Sequence, residues 1–193
     1  HHQPRRQRQM CIRDSGCQLA EENITLTQPD APLTIDSFTI QNISCFGADD
    51  GSIDLGVSGG TGAYTYQWSN GASSEDLSNL APGTYAVTIT DANGCSTSEQ
   101  YTVTEPGLLV ASGIKSSHNG FEITCNGADD GAIDLTVSGG TSPYVYSWTK
   151  TGNASYSSSS EDLLDLSPGI YQVNVTDANG CSSSETFTIS EPD

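Results

Sequence analysis

"NGADDGAIDLTVSGG" (residues 126–140) repeats the earlier "FGADDGSIDLGVSGG" (46–60), with twelve of fifteen positions identical. Inside it, Ile133, Leu135 and Val137 alternate with Asp134, Thr136 and Ser138, as Ile53, Leu55 and Val57 alternate with Asp54, Gly56 and Ser58. A period of two marks a strand with one buried face. The flanking "GADDG" and "SGG" are turn text, in which Gly supplies positive φ and Asp bonds its own backbone. The same strand and turns stated twice, 80 residues apart, point to a duplicated folding unit and not to a doubled chemical motif.

The copying extends well beyond these fifteen residues. "YTYQW" (64–68) returns as "YVYSW" (144–148) at the same offset. "SSEDL" (73–77) returns at 159–163, "PGTY" (82–85) as "PGIY" (168–171), and "TDANGCS" (90–96) at 176–182, now offset by 86. The second copy has therefore gained six residues between Trp148 and Glu161. The text around the insertion, "KTGNASYSSSS", is polar and Ser-rich and reads as a lengthened surface loop. Tyr64, Tyr66 and Trp68 share one strand face; Tyr85, Val87 and Ile89 share another; Tyr101 and Val103 begin a last strand pattern. The second copy repeats this with Tyr171, Val173 and Val175, then Phe187 and Ile189, and no segment carries a helical period.

Short, turn-punctuated strands with a central Trp predict an all-β fold of tandem immunoglobulin-like β-sandwich repeats. "LAPGTY" (80–85) and "LSPGIY" (166–171) have the form of a tyrosine corner, so Tyr85 and Tyr171 join Trp68 and Trp148 as expected core residues. The expected units are 31–106 and 107–193. Residues 16–30, "GCQLAEENITLTQPD", match the pattern closing the first unit and read as the C-terminal tail of a truncated upstream repeat. Residues 1–15 match nothing downstream, and "MCIRDS" (10–15) has the look of a translated sequencing adapter; this stretch is expected to be a scar.

The chain carries 24 acidic and 6 basic side chains, a net charge of −18. Four of the six basic residues (Arg5, Arg6, Arg8, Arg13) lie in the first fifteen, which leaves only Lys115 and Lys150 against the acids of the body. Such a field repels nucleic acid and anionic membrane, so neither is an expected partner. No apolar run is long enough to cross a bilayer. Five cysteines keep repeat register: Cys45 with Cys95, Cys125 with Cys181, and Cys17 in the truncated tail. One pair per unit in a Thr/Ser/Gly-rich, nearly Lys-free body indicates an oxidising, extracellular setting. Bridges within each unit, Cys45–Cys95 and Cys125–Cys181, are favoured; spacing also permits bridges between neighbours, Cys17–Cys45 and Cys95–Cys125.

Candidate chemistry is sparse. "GVSGG" (56–60) satisfies a nucleophile-elbow pattern, but no helix follows Ser58, the second copy reads "TVSGG", and no repeat-matched His exists. No catalytic residue is expected. The acidic turns offer hard oxygens, Asp49, Asp50, Asp54, Asp91 and Asn93 in one unit and Asp129, Asp130, Asp134, Asp177 and Asn179 in the other. If a within-unit disulfide draws the two turns together, these groups could converge on Ca²⁺. Asp, Asn and Gly are equally the ordinary residues of tight turns, and this second reading is preferred. No other cofactor is expected.

The combination Cys-x-Gly before "DGSIDL", "GGTGAYTYQW", "PGTY" and "DANGC" resembles the SprB repeat, found in large surface adhesins of gliding bacteria and in other proteins exported by the type IX system. The resemblance covers both copies and the truncated tail. It implies export to the bacterial surface, neighbouring repeats as partners, an unidentified surface or polysaccharide ligand, and a part in adhesion or gliding. The expected function is a non-catalytic stalk or adhesive array. The alternative is a polysaccharide-binding accessory module of a secreted enzyme.

Overall fold

Each unit begins with a strand that the apolar pattern does not announce. A computed structural model of the chain describes residues 31–193; the expectations for residues 1–30, including Cys17, lie outside the described residues. In the first unit, β1 (Thr34–Gln41), β2 (Gly51–Ser58) and β4 (Leu77–Leu80) form one antiparallel sheet in the order β1-β2-β4. β3 (Thr65–Trp68), β5 (Gly83–Thr90) and β6 (Ser96–Val103) form the other, in the order β3-β5-β6. The second unit repeats the plan with β7 (Val110–Lys115), β8 (Gly131–Ser138) and β11 (Leu163–Leu166) against β9 (Val145–Lys150), β12 (Gly169–Thr176) and β13 (Ser182–Ile189). This is the ABE/CFG pairing of an immunoglobulin-like sandwich lacking strand D. The expected fold class holds.

The buried faces are those the alternation marks. Ile53, Leu55, Trp68, Val87, Ile89, Tyr101 and Val103 fill the first core; Ile133, Leu135, Trp148, Tyr171, Val173, Val175, Phe187 and Ile189 fill the second. Every strand pair that packs substantially lies within one unit. Each Trp is buried and donates its indole N–H to a loop carbonyl, Trp68 to Ser74 at 2.8 Å and Trp148 to Ser160 at 2.9 Å. The tyrosine corners are formed: Tyr85 Oη donates to Ala81 O at 2.9 Å and Tyr171 Oη to Ser167 O at 2.8 Å. Tyr85 is only half-buried, whereas Tyr171 is fully covered.

The inserted residues explain that difference and correct the sequence reading. They are not a plain loop. β9 runs on to Lys150, turns at Thr151–Gly152, where Gly152 has φ +79°, and returns as β10 (Asn153–Ser158), an added edge strand giving the order β10-β9-β12-β13. Tyr156 then meets Tyr171 edge-on at 5.3 Å, and the Lys150 ammonium lies 4.9 Å from the same ring. Tyr146 is half-buried like its counterpart Tyr66 and packs on its core. This aromatic face is thus turned toward the core in both units.

One core group is mismatched. The Tyr101 hydroxyl is buried with no hydrogen-bond partner, and burial raises its pKa. Its ring packs between Phe38 (5.0 Å) and Trp68 (6.3 Å), and the equivalent in the second unit is Phe187. An unpaired buried hydroxyl costs ~1–3 kcal/mol, so Tyr101→Phe is expected to leave stability unchanged or raise it by about 1 kcal/mol, read as the urea midpoint of the first unit.

Candidate functional site

The strand directions define two ends for each unit. β1 pairs with β2 from Thr34↔Ser58 to Gln41↔Ser52, and β5 pairs with β6 from Gly83↔Val103 to Thr90↔Ser96. The chain therefore comes in at an upstream end built by Thr34, Ser58–Gly60 and the 91–95 turn. It leaves at a downstream end built by the 43–50 loop, Leu80 and Val103.

The upstream end depends on glycine. Gly59 and Gly139 have φ of +75° and +70°, and a Cβ on either would lie 1.9 Å from a carbonyl oxygen, of Pro32 or Leu108. That close approach lets the next residue join the incoming chain, Gly60 N–H donating to Ala31 O and Gly140 N–H to Gly107 O, each at 2.8 Å. Buried Asp177 holds the adjoining turn: its carboxylate accepts the N–H groups of Thr141 (2.8 Å), Asn179 (2.9 Å) and Cys181 (2.9 Å). Asp91 does the same for Thr61, Asn93 and Cys95. Burial alone would raise the Asp177 pKa, but these N–H donors outweigh it and hold the group below the usual range. At Asp91 the Thr61 N–H is the largest influence and acts in the same direction.

The downstream end is closed by the acid of the "EP" pair. Glu105 accepts the Gly47 N–H at 2.9 Å and Glu191 accepts that of Gly127 at 2.8 Å, which gives the recurring "TEP" and "SEP" a structural task. Asp50 accepts the Ser44 N–H at 3.0 Å and Asp130 the Thr124 N–H at 3.1 Å, and both carboxyls are held below the usual range, chiefly by side-chain hydrogen bonds from Ser44 and Thr124.

The disulfide lies between the units. Cys45 is bonded to Cys181, with Cα atoms 5.7 Å apart and a sequence separation of 136; Cys95 and Cys125 are free and exposed. The favoured within-unit pairs, Cys45–Cys95 and Cys125–Cys181, are thus corrected, and so is the Cys95–Cys125 alternative. The reason is topological. Ile43 N–H donates to Thr104 O at 2.9 Å, placing Cys45 at the downstream end, whereas Cys95 immediately precedes β6 at the upstream end. The length of β6 separates them, about 24 Å at strand rise, far beyond the ~7 Å that a disulfide spans. The downstream end of one unit instead abuts the upstream end of the next. There Asn179 Nδ2 donates to Ser44 O at 2.9 Å, and Phe46, Leu108 and Leu109 line a shallow cleft beside the bridge.

The same separation governs the ten acidic-turn residues. Asp49 and Asp50 lie at the downstream end, Asp91 and Asn93 at the upstream end, and Asp54 is exposed in mid-strand opposite Thr39. Asp129, Asp130, Asp134, Asp177 and Asn179 repeat this placement. The convergence expected from a within-unit bridge does not occur. Among the described residues no group of three His, Cys, Asp or Glu side chains is placed to hold a metal ion. Ser58 ends β2 and runs directly into the glycine turn.

Sequence reasoning overlooked Asp76 and Asp162, the acids of "SSEDL". Each accepts a backbone N–H of the central strand of its sheet, Leu55 at 3.0 Å and Leu135 at 2.9 Å. It also overlooked Glu122, which pairs with Lys115 at 2.6 Å and accepts from the Ser190 N–H at 2.9 Å and from its hydroxyl. Asn42 fills the equivalent place in the first unit, accepting the Thr104 N–H at 2.9 Å. Burial would raise the Glu122 pKa, but Lys115 and Ser190 bring it down to about 2. A depressed folded pKa gives stability that is present above the unfolded value and lost as pH falls through the folded one. Between about pH 4.5 and 2, the second unit is therefore expected to lose about 2 kcal/mol that the first does not. Glu122→Gln, which keeps the acceptor as Asn42 does, is expected to flatten that acid limb; urea midpoints against pH, followed separately at Trp148 and Trp68, check it.

Among the described residues no helix is long and apolar enough to cross a membrane. Among solved structures, the chain is similar to a C-terminal 282-residue fragment of intimin, crystallised with the intimin-binding domain of its translocated receptor, at 16% identity and TM-score 0.42. The match covers 81% of this chain and 64% of that one, so the chain spans about two thirds of the intimin fragment. It is also similar to the first two immunoglobulin domains of DIP-gamma, at 14% identity and TM-score 0.42, covering 84% and 98% of the two chains. The N-terminal eight immunoglobulin domains of Down syndrome cell adhesion molecule match at 14% identity and TM-score 0.38, covering 84% and 25%. Curated protein sequences gave no significant match. The SprB repeat model matches residues 37–73 and 122–156, one stretch in each unit.

Proposed function

We propose that the chain is a non-catalytic, extracellular part of a bacterial cell-surface adhesin, in which SprB repeats stacked head to tail form a stalk serving attachment or gliding after type IX export. The observation that carries this reading is the Cys45–Cys181 bridge between units. A disulfide of this kind suits an oxidising compartment. Because each unit takes the chain in at one end and releases it at the other, every repeat adds at least the length of its eight-residue strands, about 24 Å. The acidic surface keeps such an array soluble and discourages lateral association. Antibodies raised against the oxidised chain are expected to label intact bacteria carrying the parent protein, and their Fab fragments to block attachment to a surface. Labelling only after lysis, or attachment untouched by Fab, would overturn the reading; saturable binding of the isolated chain on a glycan array would favour the polysaccharide-binding accessory module instead.

A further inference from the structure

The bridge at the junction uses the first cysteine of one unit and the second cysteine of the next. The two remaining thiols are the complementary halves of the same arrangement. Cys125 occupies the Cys45 position: Ala128 N–H donates to Cys125 O at 3.1 Å as Ala48 does to Cys45 at 3.0 Å, and the Asp130 and Glu191 contacts repeat those of Asp50 and Glu105. Cys95 occupies the Cys181 position: Cys95 N–H donates to Asp91 at 2.8 Å as Cys181 does to Asp177 at 2.9 Å. Each backbone is thus already shaped for a bridge, and each thiol is exposed at an outward-facing end, Cys95 upstream and Cys125 downstream.

We propose that Cys95 and Cys125 are the two open halves of an inter-repeat disulfide ladder, and that the partner of each is the complementary cysteine of a further copy of this repeat unit. The contact is heterologous, downstream end to upstream end, and because the two ends lie at opposite poles of each unit it extends along the stack. It rests on the stalk reading and adds to it a covalent strand running through every junction. The outer ends also carry part of the non-covalent junction. Asn93 holds Thr61 Oγ1 at 2.8 Å, as Asn179 holds Thr141 Oγ1 at 3.2 Å while also reaching Ser44 O. Pro32 and Leu33 stand where Leu108 and Leu109 line the existing cleft. Asn126 replaces Phe46, so the downstream face is less apolar than the one already joined. In chemical terms two thiols lose two protons and two electrons, and a small-molecule disulfide such as oxidised glutathione accepts both and becomes two thiols.

The test uses the full chain with Cys11→Ser and Cys17→Ser, in two forms, one also Cys95→Ser and the other also Cys125→Ser. Each is first checked by mass mapping for an intact Cys45–Cys181 bridge, and the two are then mixed in a glutathione redox buffer. The expected product is a mixed dimer linked Cys95–Cys125, exceeding either same-form dimer by about tenfold, the ratio given by ~1.4 kcal/mol of complementarity between the ends. The chain keeping both thiols is expected to give an open series of oligomers. Random proportions of the three dimers, or glutathione adducts alone, would overturn the ladder while leaving the observed junction standing. Absence of the Cys45–Cys181 bridge at the first step would overturn the ladder and remove the observation on which the stalk reading rests.

Discussion

Stretched by its two ends under oxidising conditions, the chain is expected to yield no length from the 136-residue span between Cys45 and Cys181. Load passes along the N-terminal segment to Cys45, across the sulfurs to Cys181, and out through the C-terminal segment. Among the described strands only β1 and β13 lie on that path, so the gain they permit comes from peeling these two end strands away from β2 and β12. Adding a reductant during the pull is expected to release about 450–490 Å more, the extended reach of the shielded span at ~3.3–3.6 Å per residue. Cys45→Ser should show that length from the start. The measurement is single-molecule force spectroscopy. Two unit-sized steps before reduction would contradict the observed bridge, and free extension of the segment between Cys95 and Cys125 would mark bridges within the units. On the proposed stalk reading, such wiring would keep most of the folded mass out of the line of tension.

Trp148→Ala is expected to cost about 3–5 kcal/mol, confined to the second unit. Trp148 is fully buried, meets Phe187 at 5.9 Å, and gives its indole N–H to Ser160. Truncation leaves a large cavity and strands the Ser160 carbonyl, and a small sandwich has little stability to spare. Because the two hydrophobic cores are separate, Trp68 should report an unmoved transition. Trp68→Ala is expected to produce the mirror result. The chain has two Trp residues, one per unit, so fluorescence against denaturant separates the units, and circular dichroism gives the amplitude lost in each. A common shift of both transitions would mean that the bridge couples the units into one cooperative block.

Much of each unit was legible from residue order. The Ile53–Val57 and Tyr85–Ile89 alternations, the Trp68 and Trp148 placements and both tyrosine corners rest on contacts to near neighbours, so local text specifies them. Five strands were not legible. β1 and β7 are edge strands, β1 with most and β7 with half of its positions exposed, and β4 and β11 have only four residues each, so neither pair displays a sustained alternation. "NASYSS" was taken for loop because its strand content depends on pairing with β9 and on Tyr156 reaching Tyr171.

The cysteines draw the boundary between the two kinds of information. Repeat register identified Cys45, Cys95, Cys125 and Cys181 as equivalent pairs, and composition assigned them to an oxidising setting. Which thiols meet depends on the end of the sandwich each loop occupies, and so on the direction of every intervening strand. A clue was present: Cys45 precedes β2 and Cys95 follows β5, and these two strands run the same way. Residue order thus settled an all-strand, tandemly repeated chain with its core and turns, because strand alternation and turn chemistry act over a few residues. Tertiary structure alone decided that its covalent bond joins neighbours, since a disulfide requires two Cα atoms within about 7 Å and only the stacking of one unit on the next brings that about.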